Sequence, residues 1–187
     1  MRDNDWRKSR YEKAKREEEF VMSALTIAIG GACSGCTLED DMKSHIDLWW
    51  DSPKRGVIGI DVKGIKAHST SAHTFDEGIQ WLELTNTTGG TGWLRGKAEY
   101  IAFKGSKDVF FVKRQKLLDW TLKMIEGKEL TTELPKAFYT PYRRAKWGNL
   151  DIVCKCPTSD LRKLASWTID NKWYNDIMNG KEQFKPA

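Results

Sequence analysis

Long apolar runs are scarce in this chain. The longest strongly apolar stretch, residues 20–33, is too short to span a bilayer, which takes about 20 residues. The first ten residues, MRDNDWRKSR, are charged with no apolar segment directly behind them, so neither a secretory leader nor a membrane partner is expected. Cysteine is sparse as well. Four Cys without secretory context point to a reducing, cytoplasmic setting and free thiols. Internal repeats and clean linkers are absent. The glycine-rich run NTTGGTG (86–92) lacks the Gly-Lys-Ser/Thr ending of a nucleotide-binding loop.

What is present fits one globular domain. The 187 residues are 40% apolar and 30% charged, against disorder along the whole length. A chain this long can bury about two-thirds of its unfolded surface, so it needs no disulfides. The domain is expected to cover residues 1–187, with 126–187 as a C-terminal extension packed on it. The nine Trp promise large, rigid contact surfaces. The net charge of +5 is mildly basic and compatible with nucleic acid.

The periodicities predict an α/β fold. Residues 5–29 read as a helix with the stripe Tyr11, Ala14, Val21, Leu25 and Ile29, ended by Gly30 and Gly31. Glu18 fills the gap in that stripe, where a carboxylate must be compensated. Residues 32–43 read as a loop. Strands over 44–50 and 57–63, joined by the turn DSPKRG, form a predicted hairpin. Further strands are predicted over 79–85, 98–103, 109–112 and 150–154. Helices are predicted over 113–125 and from a cap at 158–160 to about 178.

The hairpin carries the chemistry. Period-two geometry sets Asp61 and Lys63 side by side, with Asp47 across from them. Asp-x-Lys alone is a common tripeptide and usually a solvated strand face. Two converging carboxylates beside an ammonium, however, suit a hard cation such as Mg²⁺, and such an ion polarises phosphate and acidifies bound water. Elsewhere, Cys33-x-x-Cys36 and Cys154-x-Cys156 have zinc-knuckle spacings. The two pairs are far apart in sequence, and CKC is read as a strand with its thiols facing apart, so free thiols are expected. His68 and His73 fall in a polar loop. Arg143, Arg144 and Lys146 interleave with Tyr142 and Trp147 as a basic–aromatic candidate for nucleic acid.

Taken with the helix that precedes it, the order HIDLWW, VIGIDVKG, WLELTN, GWLRGKAEYIAF and VFFVKRQKL resembles the PD-(D/E)xK nuclease superfamily. It is similar to its small phage-encoded members over about residues 10–120. Ile46 stands where the superfamily's name has Pro. The resemblance implies a restriction-endonuclease-like fold, a mixed β-sheet flanked by helices, and a Mg²⁺- or Mn²⁺-dependent DNA endonuclease. Asp47, Asp61 and Glu18 would then hold the metal with the Val62 carbonyl, and Lys63 would serve the attacking water. Glu83, Glu17 and His45 would stand nearby. Lys54, Arg55, Lys66, Arg95, Lys97, Arg143, Arg144 and Lys146 would contact DNA. Two rival expectations are a junction-resolving nuclease, which requires a symmetric homodimer, and a catalytically silent DNA-binding module. A phage-encoded enzyme would act in the host cytoplasm.

Overall fold

The computed structural model describes residues 3–64, 78–144 and 148–172. Its elements in chain order are α1 (Asp3–Ala28), β1 (Ala32–Gly35), α2 (Leu38–Ser44), β2 (Leu48–Ser52), β3 (Gly56–Lys63) and β4 (Ile79–Thr85). They continue with β5 (Tyr100–Lys104), β6 (Asp108–Lys113), α3 (Arg114–Ile125), β7 (Ile152–Pro157), α4 (Thr158–Leu164) and β8 (Trp167–Asp170). Short 3-10 turns cover Trp93–Arg95 and Leu134–Ala137. The main sheet runs β1-β2-β3-β5-β6-β8. Every pairing in it is antiparallel except β3 with β5. The fold is therefore mixed α/β, with a mostly antiparallel sheet flanked by helices.

The two faces of the sheet build two cores. On one, Val21, Ala24 and Leu25 of α1 pack on Leu48, Trp50, Ile58, Ile60, Tyr100, Ala102 and Phe111. On the other, Ile101, Phe103, Phe110 and Val112 meet β4, β7, α3 and α4 through Leu82, Leu84, Cys154, Cys156, Leu117 and Leu161. Strand alternation sends Ile58 and Ile60 to the first face and Ile101 and Phe103 to the second. Each fully buried aliphatic side chain contributes about 1.5–3 kcal/mol.

Several expectations need correction. The stripe of α1 is buried only at Val21 and Leu25, joined by Ala24, while Tyr11, Ala14 and Ile29 are exposed. Glu18 thus stands one turn before the buried face begins. The loop read over 32–43 holds β1 and α2. The strand read over 44–50 starts at Leu48, because Ser44 ends α2 and His45 caps it in the left-handed region at φ 51°. Ile46 consequently enters the second core, not the first with Leu48 and Trp50. The helix read over 158–178 stops at Leu164, and the chain turns into β8 on the edge of the main sheet. Within residues 148–172, β8 extends the main sheet and β7 pairs β4.

Candidate active site

The hairpin register makes the site. Leu48 pairs Ile60, so one further step sets Asp47 opposite Asp61. The Asp47 amide donates to the Ile60 carbonyl at 2.9 Å. Its carboxylate Oδ2 accepts the Val62 amide at 2.6 Å. A side chain thus replaces a backbone acceptor at the strand's end, and the Asp47 carboxylate is pinned beside β3. Asp61 is 1% exposed. Its Oδ1 accepts from Lys63 Nζ, while its Oδ2 is buried without a partner. Lys63 Nζ lies 5.2 Å from the Trp93 ring centroid, so the ammonium rests on a core aromatic whose exposure is 4%. The expected pairing of Asp61 and Lys63 on one strand face, with Asp47 across, is what the strands produce.

Electrostatically the cluster has more carboxylates than cations. Burial holds Asp61 well above the ordinary carboxylate range; Lys63 opposes this and Asp47 reinforces it. Glu18 is pushed up to about 7, first by burial and then by the Asp47 and Asp41 carboxylates. Burial pulls Lys63 down, yet the attraction of Asp61 and Asp47, with Glu83 adding, leaves it above its usual value. Lys63 is therefore a cation at neutral pH and no base.

Asp41 belongs to this group and was missed by sequence reasoning. Burial and Asp47 raise it, against Lys63 and His45. It rides on α2, which has no buried residue and so no apolar periodicity to betray it. The available signal was the cap: Thr37 Oγ1 accepts the Asp40 amide at 3.1 Å. Cys36, whose thiol donates to the Ile46 carbonyl at 2.6 Å, is raised to about 11 by burial and by the same carboxylates.

The remaining candidates fall in different places. Glu17 pairs Lys13 at 3.8 Å and abuts Gly64, where a Cβ would overlap its carboxylate. Burial, then Asp47 and Asp41, raise Glu18, whereas the Glu17 carboxylate is engaged at Lys13 and Gly64. His45 Nε2 lies 3.0 Å from the Thr91 carbonyl, which ties α2 to the 86–92 loop. Glu83 is on β4, within electrostatic reach of Lys63. Arg95 and Lys97 are exposed. Their loop is stitched to the site's wall by the Lys97 amide on Ser44 O at 2.7 Å.

Lys54 and Arg55 lie in the β2–β3 turn, at the far end of the hairpin from Asp61, about 17 Å at ~3.4 Å per residue. Arg55 is held by the Tyr100 hydroxyl at 2.5 Å and lies 6.0 Å from the Trp167 ring. Tyr142 is core. Arg144 Nε donates at 2.7 Å to Asp151, which is 0% exposed. That pairing gives Arg144 a structural task, and Arg143 Nε is buried. Lys66, Lys146, His68, His73 and Trp147 lie outside the described residues. Cys154 and Cys156, two apart on β7, share one face and both enter the core, which corrects the expectation that they diverge.

Among the described residues no three His, Cys, Asp or Glu side chains are grouped closely enough to hold a metal ion, and no helix is long and apolar enough to cross a membrane. The donor set still suits a hard cation. Its side chains are carboxylates, it includes the buried Asp61 Oδ2, and burial first, with the Asp47 carboxylate second to it among the raising causes, lifts Glu18, Asp41 and Asp61. Comparison with protein-family models, with curated proteins and with solved structures finds no match to this chain.

Proposed function

We propose that the chain is a divalent-metal-dependent endonuclease that hydrolyses phosphodiester bonds in DNA. The observation that carries this reading is the buried Asp61, set between the Asp47 carboxylate and the Lys63 ammonium with one oxygen unpartnered. The buried Asp151 also keeps one unpartnered oxygen beside Arg144, so what distinguishes Asp61 is the second carboxylate, Asp47, held against it across the hairpin. The helix, antiparallel hairpin and parallel β3–β5 step support a restriction-endonuclease-like version of the α/β fold.

Asp47, Asp61 and Glu18 would hold the ion, with the Val62 carbonyl beside them. When bound, Mg²⁺ or Mn²⁺ would supply a Lewis acid for the phosphoryl oxygen and a bound water of lowered pKa. The chain's own part is orientation and charge. The Val62 amide fixes Asp47. Lys63 stays protonated and offers positive charge to the phosphorane-like transition state. Trp93 beneath it excludes water from one side of the ammonium, which strengthens that interaction. Arg95 and Lys97, both exposed, would meet backbone phosphates.

The test is cleavage of linear, nicked, branched and single-stranded DNA, and of RNA, with Mg²⁺ or Mn²⁺. Metal-dependent products bearing 5′-phosphate, lost in a folded Asp61→Asn variant, are expected. Activity that survives both EDTA and that substitution would refute the reading.

A further inference from the structure

A second charged feature lies one helix position away from the carboxylates. A cavity of about 410 Å³ is lined by Lys13, Arg16, Glu17, Phe20, Lys104 and Asn171. It sits at the same end of the sheet as the candidate active site. Lys104 follows Phe103, which pairs Lys63 across the parallel β3–β5 ladder, and Glu17 in its wall abuts Gly64, the residue after Lys63. Glu17 and Glu18 are consecutive on α1 and so point about 100° apart: one faces the cavity, the other the Asp47 group.

The cavity carries positive charge and is built to hold it. Lys13, Arg16 and Lys104 outnumber the one carboxylate of Glu17, which Lys13 already partners at 3.8 Å. Arg16 and Lys104 have no ion-pair partner among the described residues, and the stem of Lys104 lies along Phe20 with Nζ 4.8 Å from the ring centroid. Beneath them the β5–β6 turn is fixed. Asn171, 4% exposed, donates to the Gly105 and Ser106 carbonyls at 3.3 and 3.2 Å, and its amide donates to Lys107 O at 2.8 Å. A pinned turn holds Lys104 in place before any ligand arrives, which lowers the ordering cost of binding.

We propose that this cavity receives backbone phosphates of the polynucleotide whose scissile bond lies at Asp47 and Asp61, with Arg16 and Lys104 as the contacting residues. The proposal rests on the nuclease reading and adds the path of the strand. From the carboxylates, the strand crosses the end of β3 and β5 onto the α1 side. None of these residues was singled out by the sequence, because Arg16 and Lys104 stand in separate segments and only the fold brings them together. It also supplies a basic contact near the site that Arg55 and Arg144, each engaged structurally, do not.

The experiment measures binding of a fluorescent DNA duplex to the full chain in EDTA across a range of salt concentrations. It compares wild type, Arg16→Gln/Lys104→Gln, and a control double variant, Lys123→Gln/Lys136→Gln, that removes the same charge elsewhere. Gln keeps the side-chain stems and the packing on Phe20. The expected result is at least a tenfold rise in Kd for the cavity variant at low salt. The slope of log affinity against log salt should become shallower by about 2, since each phosphate contact contributes roughly 0.9. The control should move neither by more than a general charge effect. Equal behaviour of the two variants, with wild type binding and cleaving DNA, overturns the strand path alone. A wild type that neither binds nor cleaves nucleic acid overturns the nuclease reading with it.

Discussion

Replacing Glu18 with Gln should stabilise the metal-free protein at alkaline pH and not at acid pH. In the folded chain the Glu18 carboxyl is raised from its ordinary 4.5 to about 7. A carboxyl raised in the folded chain leaves folding unopposed only while it is protonated in both states. Below about pH 4.5 Glu18 costs nothing. Between 4.5 and about 7 the unfolded chain ionises and the folded chain does not, so stability falls as pH rises, and above about 7 the loss is complete.

A rise from 4.5 to about 7 corresponds to a ceiling of ~3.4 kcal/mol. Water reaches part of this side chain, and screening reduces the figure to about 1–2 kcal/mol. The assay is urea unfolding of wild type and Glu18→Gln in EDTA at pH 4.5 and 8.5. The variant should be more stable by about 1–2 kcal/mol at pH 8.5, with the gap closing at pH 4.5. Millimolar Mg²⁺ at pH 8.5 should raise wild type more than the variant, because the ionised carboxylate then has a counter-charge. A variant equal to or less stable than wild type at pH 8.5 would refute the claim that burial and the Asp47 and Asp41 carboxylates disfavour ionised Glu18.

Other consequences follow from particular contacts. Arg144→Ala leaves the buried Asp151 without its ion pair and should cost about 2–3 kcal/mol in chemical unfolding; a change under about 0.5 would mean the pair is solvent-like. Gly31→Ala puts a Cβ on the Asp51 carbonyl at a φ of 89° and should lower stability by about 2 kcal/mol or more, read as a lowered melting temperature. Burial raises Cys154 to about 12 and raises Cys156 too, so in the native protein neither thiol should react with Ellman's reagent at pH 8 until denaturant is added. Fast reaction of more than two thiols per chain would show that β7 is not packed.

The hairpin and its polar face were legible because period two is strict. Asp61 and Lys63 must share a side, and Asp47 follows from the short turn. The β5–β6 hairpin was legible for a different reason, two short unbroken apolar runs either side of GSKD, and α3 from Leu117, Leu118 and Ile125. The strand β8 was hidden because Leu161, Ala165 and Ile169 recur every four residues and imitate a helix that in fact stops at Leu164. The first half of α1 shows the converse. Tyr11 and Ala14 continue the helical stripe, but the sheet does not reach far enough to cover them. Basic residues next to aromatics at 142–144 resembled a nucleic-acid patch; that Asp151 is buried and claims Arg144 depends on a pairing seven residues away that no local pattern encodes.

Divalent-cation binding at Asp61 is the central claim, and isothermal titration of Mn²⁺ into the intact protein at pH 8 measures it. Wild type should bind the ion through the carboxylates of Asp47, Asp61 and Glu18. A folded Asp61→Asn variant should lose that binding together with Mn²⁺-dependent DNA cleavage. Mn²⁺ binding of equal affinity in wild type and Asp61→Asn, or cleavage unchanged by the substitution, would contradict it.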